Sequence, residues 1–176
     1  MAEYRMDEKG WALRRGNLQA PLTVLVDLDS TLADTRHRSH LTPHNLPGTT
    51  WDTYSMRCAD DAPIAGPIST VRALAPTHRI RIVSGRSVRA MKLTIDWLGK
   101  HNVPWDLMRL RRSEDSEDPI EYKRSVLAEI PPTELVVLGI DDWPPVIEMW
   151  AEHGIPGLCV NPMYSEDPNA YFTKAR

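Results

Sequence analysis

Short apolar runs punctuate the chain at regular intervals, and longer amphipathic stretches separate them. The run at 22–29 (LTVLVDLD) is apolar and β-branched until its acidic end, the pattern of a strand buried on both faces of a parallel sheet. Comparable runs lie at 78–85 (HRIRIVSG) and 134–142 (ELVVLGIDD), with weaker ones at 105–110 (WDLMRL) and 155–160 (IPGLCV). Between them, Val88, Met91, Ile95 and Leu98 recur at helical spacing over 87–100 and make one apolar stripe. Residues 67–75 and 144–153 also read as helices, the second opened by Pro144 and Pro145, where first-turn N–H groups need no partner. A further helix begins near Pro119, with Ile120, Leu127 and Ile130 on one face. Strands alternating with helices predict an α/β domain with a mostly parallel sheet and right-handed crossovers.

Residues 1–21 are polar and mixed in charge, with Trp11 and Leu13 as the main apolar side chains, and read as an N-terminal arm or short helix outside the core. The domain itself is expected over 22–165, with a small insert at about 32–65 and a C-terminal tail over 166–176. A length of 176 residues suits this single domain.

Composition narrows the function classes. Hydrophobic residues make up 41% and charged residues 26%, as in ordinary globular proteins. The net charge of −3 argues against coating nucleic acid by bulk positive charge, although Arg supplies 16 of the 21 cations and suits bidentate phosphate recognition. No apolar run approaches the roughly 18 residues that span a bilayer, and the charged N-terminus is unlike a signal peptide. Cys58 and Cys159 are far apart and lack metal-ligand spacing, so a reduced, cytoplasmic protein is expected. Neither GxxxxGK[ST] nor GxGxxG occurs.

The chemistry lies in where the polar residues fall. The first strand ends in Asp27-Leu28-Asp29-Ser30-Thr31, the second in Ser84-Gly85-Arg86 and the third in Asp141-Asp142. Ligands of an open parallel sheet bind beyond the carboxyl ends of its strands, so these clusters should converge on one crevice. Carboxylates gathered there repel one another unless a cation sits among them, and an oxygen-only donor set suits Mg²⁺. Lys123 falls on the apolar stripe of its helix, where it either snorkels or reaches an anionic partner in the same crevice.

In order, DxDST at Asp27 to Thr31, Ser84, Lys123 and the pair Asp141-Asp142 resemble the motifs of the haloacid dehalogenase (HAD) superfamily of aspartate-nucleophile phosphatases. Within it, IVSGRS (82–87) and IDDWPPVIEMWAEHGI (140–155) are similar to the phosphatase domain of bacteriophage polynucleotide kinase/phosphatase. Trp143 stands where those domains tend to carry Arg, and Asp118 is the best match for the acidic residue preceding the motif lysine.

The resemblance implies a HAD-like, Rossmannoid three-layer αβα sandwich without a large cap. It also implies a Mg²⁺-dependent phosphomonoesterase in which Asp27 is the nucleophile, Asp29 the general acid and base, and Ser84 and Lys123 the phosphate contacts. Asp27, Asp29, Asp141 and Asp142 would hold the metal. Ser84, Gly85, Arg86, Arg38 and Arg36 would contact substrate, with Arg38 matching a functional arginine of the phage domains by its position after the first motif. The expected substrate is a nucleic-acid 3′-phosphate end. A small-molecule phosphatase such as a 5′- or 3′-nucleotidase and an inactive phosphate-binding module stay open as alternatives. Trp51 and Tyr54, in the insert, read either as stacking platforms for a base or as aromatics that seat the insert on the domain.

Overall fold

The computed structural model describes residues 4–14 and 22–160. The expected tail at 166–176 lies outside the described residues. Among the described residues nine strands form in chain order: β1 (Tyr4–Met6), β2 (Ala12–Arg14), β3 (Leu22–Val26), β4 (Ala33–Asp34), β5 (Ala62–Pro63), β6 (Arg79–Ser87), β7 (Leu107–Arg111), β8 (Leu135–Asp141) and β9 (Gly157–Cys159). The helices are α1 (Trp51–Ser55), α2 (Ala65–Leu74), α3 (Met91–Lys100), α4 (Pro119–Ala128) and α5 (Pro144–Glu152).

Seven strands make one sheet in the order β1-β2-β7-β6-β3-β8-β9. The five strands from β7 to β9 in that order run parallel, and β1 and β2 add antiparallel at the β7 edge. Strand alternation sorts the core into two layers. Val24, Val26, Ile80, Ile82 and Ile140 pack with α2 and α3, through Ile68, Val71, Ile95 and Leu98. Leu25 and Val83 face the other way, onto Tyr122 and Val126 of α4 and Val146, Met149 and Trp150 of α5. The sheet is thus sandwiched between two helical layers, as expected.

At Gly139 a Cβ would come within 2.0 Å of the Trp150 ring, so glycine there lets α5 lie close against β8. That approach matters for the site, because α5 starts immediately after Asp141, Asp142 and Trp143.

The N-terminal segment corrects the expectation of an arm or short helix. Residues 4–14 form a hairpin that extends the sheet, closed by a turn in which Asp7 accepts the N–H groups of Lys9 and Trp11 and Gly10 takes φ +85°. The two apolar residues noted in the sequence account for its docking. Trp11 is buried, donates Nε1–H to Glu129 at 3.1 Å and lies under the Arg81 guanidinium, while Leu13 packs against the same core layer. Strands three residues long show no readable alternation, which hid the hairpin in the sequence.

The insert is small. After β4 come a 3₁₀ helix at Arg36–Leu41, α1 and a second 3₁₀ turn at Cys58–Asp60, and β5 closes back on β4. No helix among the described residues is long and apolar enough to cross a membrane.

Candidate active site

β3 and β8 are adjacent and parallel, so Asp27, directly after β3, and Asp141, the last residue of β8, emerge side by side. The Asp27 N–H donates to the Ile140 carbonyl at 2.9 Å and fixes that register. The chain then turns through Leu28 to Ala33. Leu28 is buried, its carbonyl accepts from Leu32 and Ala33, and Ser30 adopts φ +65°. This turn lets Asp27 and Asp29, two residues apart, address one crevice from different sides.

Lys123 arrives from α4. Asp118 caps that helix by accepting the Ile120 N–H at 2.8 Å, with Pro119 in its first turn, and the resulting phase buries Tyr122, Lys123 and Val126. The ammonium donates to Asp27 Oδ1 at 3.0 Å and to Asp141 Oδ2 at 2.5 Å. Asp142 completes the group: one oxygen from each of Asp27, Asp141 and Asp142 lies within 4.8 Å of the others. Asp142 Oδ1 also accepts the Thr31 hydroxyl at 3.4 Å, and Asp141 Oδ1 accepts the Trp143 N–H at 3.0 Å.

Three buried or half-buried carboxylates against one ammonium are short of positive charge. Burial, with repulsion from Asp141 and Asp29, pushes Asp27 up to about 7 despite Lys123. Burial and the charges of Asp141 and Asp27 likewise raise Asp142 well above the usual carboxylate range. Lys123 is held as an ammonium, because Asp141 and Asp27 outweigh the cost of its burial.

Asp29 sits in a second cluster. Burial alone would raise it, yet Arg86 and Arg38 hold it down at about 2. Arg38 Nη2 donates to Asp29 Oδ1 at 2.6 Å, and Arg86 Nη2 donates to the same oxygen at 2.5 Å. Both guanidiniums are buried, and both also bond to Asp61. Arg38 uses Nε and Nη2 at 2.7 and 2.8 Å, and Arg86 uses Nη2 at 3.0 Å. His37 Nε2 lies 2.8 Å from Asp61 Oδ1, and Trp97 donates to the Asp61 carbonyl at 2.7 Å. Asp61 was not singled out in the sequence. Its signal was a charge count: two arginines entering a buried crevice call for two carboxylates, and Asp29 supplies one.

The end of β6 delivers Arg86 through a bulge. Ser84 pairs with Leu110 and Ser87 with Arg111, which leaves Gly85 and Arg86 as extra residues; Gly85 stays exposed while Arg86 turns inward. Ser84 is buried and its Oγ accepts the Arg86 N–H at 3.2 Å. Arg36 is exposed and ion-paired with Asp34. The structure therefore brings Asp27, Asp141, Asp142 and Lys123 into one cluster and Asp29, Arg38 and Arg86 into an adjoining one, with Arg36 on the surface of the insert.

A mostly parallel sheet carrying an acidic cluster with a lysine at its carboxyl edge is the layout that the HAD resemblance implies. Similarity to solved structures agrees with that fold. Pnkp1 of the Pnkp1/Rnl/Hen1 RNA repair complex superposes with a TM-score of 0.68 at 23% identity, covering 85% of this chain and 45% of that one. The class C acid phosphatase from Bacillus anthracis, solved with tungstate bound, gives 0.57 at 19% identity over 87% of this chain and 72% of that one. The HAD-hydrolase YfnB from Bacillus subtilis, solved bound to magnesium, gives 0.51 at 16% identity, covering 77% and 86%. The chain spans less than half the length of Pnkp1. No curated protein matches it. The profile of the polynucleotide kinase PNKP phosphatase domain matches residues 21–163, and the chain belongs to that family, as a HAD phosphatase.

Proposed function

We propose that this phosphatase is a Mg²⁺-dependent phosphomonoesterase that removes 3′-phosphates from nucleic-acid ends. The observation that carries its chemistry is the convergence of Asp27, Asp141 and Asp142 on Lys123 at the carboxyl edge of the sheet.

The donor set fits a hard divalent cation. It consists of oxygens alone, and two of its carboxyl groups, Asp27 and Asp142, are raised in the way that carboxylates lacking a counter-ion are raised. Asp27, Asp141 and the Asp29 carbonyl would hold the ion, with Asp142 as a further ligand or as a partner to one. When bound, Mg²⁺ supplies positive charge that offsets repulsion between an anionic nucleophile and a phosphate dianion.

An Asp27 carboxylate oxygen attacks phosphorus, the bond from phosphorus to the ester oxygen breaks, and the departing oxygen takes a proton from Asp29. Water then attacks the aspartyl-phosphate, gives a proton back to Asp29, and the bond from phosphorus to the Asp27 oxygen breaks to release inorganic phosphate. Lys123 offsets charge on Asp27 and on the transferring group. Ser84 accepts from Arg86 N–H, which leaves its hydroxyl hydrogen to donate to a phosphate oxygen, and the Gly85 backbone is open beside it. Asp29 rests as a carboxylate between Arg38 and Arg86. An incoming phosphate offers those guanidiniums another anion, and Asp61 already shares both, so proton loading on Asp29 accompanies substrate binding.

The 3′-end assignment rests on family membership and on access. The insert covers the crevice with two short turns and a five-residue helix, and the Asp29 side chain stays 23% exposed where Asp27 is 6% exposed. Such a mouth admits the terminus of a long strand. Arg36, on the exposed face of the insert, would meet the flanking backbone. Two free thiols, Cys58 and Cys159, suit a reducing, cytoplasmic setting.

The test is phosphate release with Mg²⁺ from 3′-phosphorylated and 5′-phosphorylated oligonucleotides and from 3′- and 5′-mononucleotides. The 3′-phosphorylated oligonucleotide should be preferred. Preference for the 5′-mononucleotide would make the protein a nucleotidase, and no release from any of them would leave it a phosphate-binding module.

A further inference from the structure

We propose that Trp51, in the insert, is a stacking platform for a nucleobase of the strand whose terminal phosphate enters the crevice. This rests on the 3′-end reading above and adds to it a binding subsite with a defined ligand chemistry, the π-face of a base.

All six tryptophans lie among the described residues, and five of them are buried or half-buried. Trp51 alone is exposed, at 50%. Leu46 and Met56, within five residues on either side, are exposed as well. Leaving an indole half in water forfeits hydrophobic stabilisation that the fold collects at every other tryptophan.

The ring is nevertheless held in place. His44 and Tyr54 meet it edge-on at 5.5 and 5.6 Å, with interplanar angles of 73° and 89°. The helix beneath is fastened to the sheet. Asp52 accepts from the hydroxyls of Ser87 and Ser113 and pairs with Arg89, and Ser55 Oγ accepts the Ser87 N–H at 3.0 Å. Ser87 ends the strand that carries Ser84 and Arg86, so α1 is tied to the rim of the phosphate site. A surface aromatic fixed this way loses little further entropy on binding.

Its position is also continuous with the active-site network. Tyr54, three residues on, lies 4.1 Å under the Arg38 guanidinium, and Arg38 donates to Asp29. Contacts thus run from Asp29 through the buried Arg38 to Tyr54 and on to the Trp51 ring, which puts the exposed indole at the outer end of that chain. Arg57, in the insert six residues after Trp51, and Arg89, paired with Asp52 of the same helix α1, are both exposed, and a phosphodiester backbone would need such counter-charge. Stacking on an indole tolerates any base, in keeping with a terminus-directed enzyme.

The competing account is that Trp51 only braces the insert through His44 and Tyr54. Steady-state kinetics of Trp51→Leu and Trp51→Phe separate the two, with a 3′-phosphorylated oligonucleotide and glycerol 2-phosphate, which has no ring to stack, as substrates. Stacking predicts that Trp51→Leu raises KM for the oligonucleotide by roughly ten- to a hundredfold while kcat changes little. Trp51→Phe should recover most of that loss, and both variants should hydrolyse glycerol 2-phosphate as the wild type does. An unchanged oligonucleotide KM in Trp51→Leu, or a parallel loss on both substrates, would overturn the platform and leave the 3′-end reading standing. Hydrolysis of glycerol 2-phosphate without any release from the oligonucleotide by wild-type protein would overturn the 3′-end reading, and the platform with it.

Discussion

Lys123 and Asp27, 96 residues apart in sequence, meet at 3.0 Å in the buried floor of the crevice. The contact joins the helix after β7 to the end of β3, and the same ammonium reaches Asp141 at the end of β8. Removing it strands two buried carboxyl groups. Without Mg²⁺, Lys123→Met should lower unfolding free energy by about 3 kcal/mol at neutral to alkaline pH, and by less in mild acid, where Asp27 takes a proton instead. Urea melts at the two pH values measure this. Phosphate release should fall roughly a hundred- to a thousandfold.

Metal binding should follow the ionisation of Asp27. Its folded-state value of about 7 stands above the unfolded 3.8, so between those values the metal-free fold binds more protons than the unfolded chain and loses stability as pH rises. A divalent cation needs ionised carboxylates and therefore binds more tightly as pH rises through about 7. Thermal melts should show a small rise in Tm with Mg²⁺ at about pH 5.5 and a large one at about pH 8. Asp27→Asn should lessen the metal-free slope, Asp142 keeping the remainder, and remove most of the Mg²⁺ effect. Equal Mg²⁺ shifts at both pH values would contradict the assignment.

Asp61 couples to Arg38 and Arg86 in a buried network of two guanidiniums and two carboxylates. Breaking such a network from one side leaves uncompensated charge, so Asp61→Ala should cost about 3 to 5 kcal/mol. The double variant Asp61→Ala/Arg38→Met should lose less than the sum of the single losses, by about 1 to 3 kcal/mol. Strict additivity in chemical denaturation would show that the two residues do not act as a unit.

Gly139 and Trp150 set the seat of α5. A methyl group at 139 forces the indole away, so Gly139→Ala should cost about 1 to 3 kcal/mol in overpacking, read as a lower Tm. Because α5 follows Asp142, the same variant should weaken the stabilisation that Mg²⁺ confers; a full-sized Mg²⁺ shift would separate helix seating from metal binding.

Much of this arrangement was legible in the residues. Five parallel strands announced themselves as apolar runs, and three of them ended in polar clusters whose convergence follows from sheet geometry alone. Lys123 stood out as a cation on an apolar stripe, with snorkelling and an anionic partner both open, and its ammonium proves to reach Asp27 and Asp141. The hairpin at 4–14 was not, since its strands are three residues long and its docking depends on Glu129 and Arg81, distant in sequence. Asp61 was hidden for a related reason: CADDAP carries no periodicity, and its partners come from the insert and from the β6 bulge. The bulge itself, which sends Arg86 inward beside an exposed Gly85, exists only through pairing with β7.

The central claim is that Asp27 carries the phosphoryl group. Wild-type protein with Mg²⁺ and a 3′-phosphorylated oligonucleotide can be quenched within a turnover and treated with borohydride, which reduces an acyl phosphate to an alcohol, and the product mapped by peptide mass spectrometry. The account predicts conversion of Asp27 to homoserine, dependent on substrate and lost in Asp27→Asn together with phosphate release. Reduction at a different carboxylate, or undiminished phosphate release by Asp27→Asn, would contradict it.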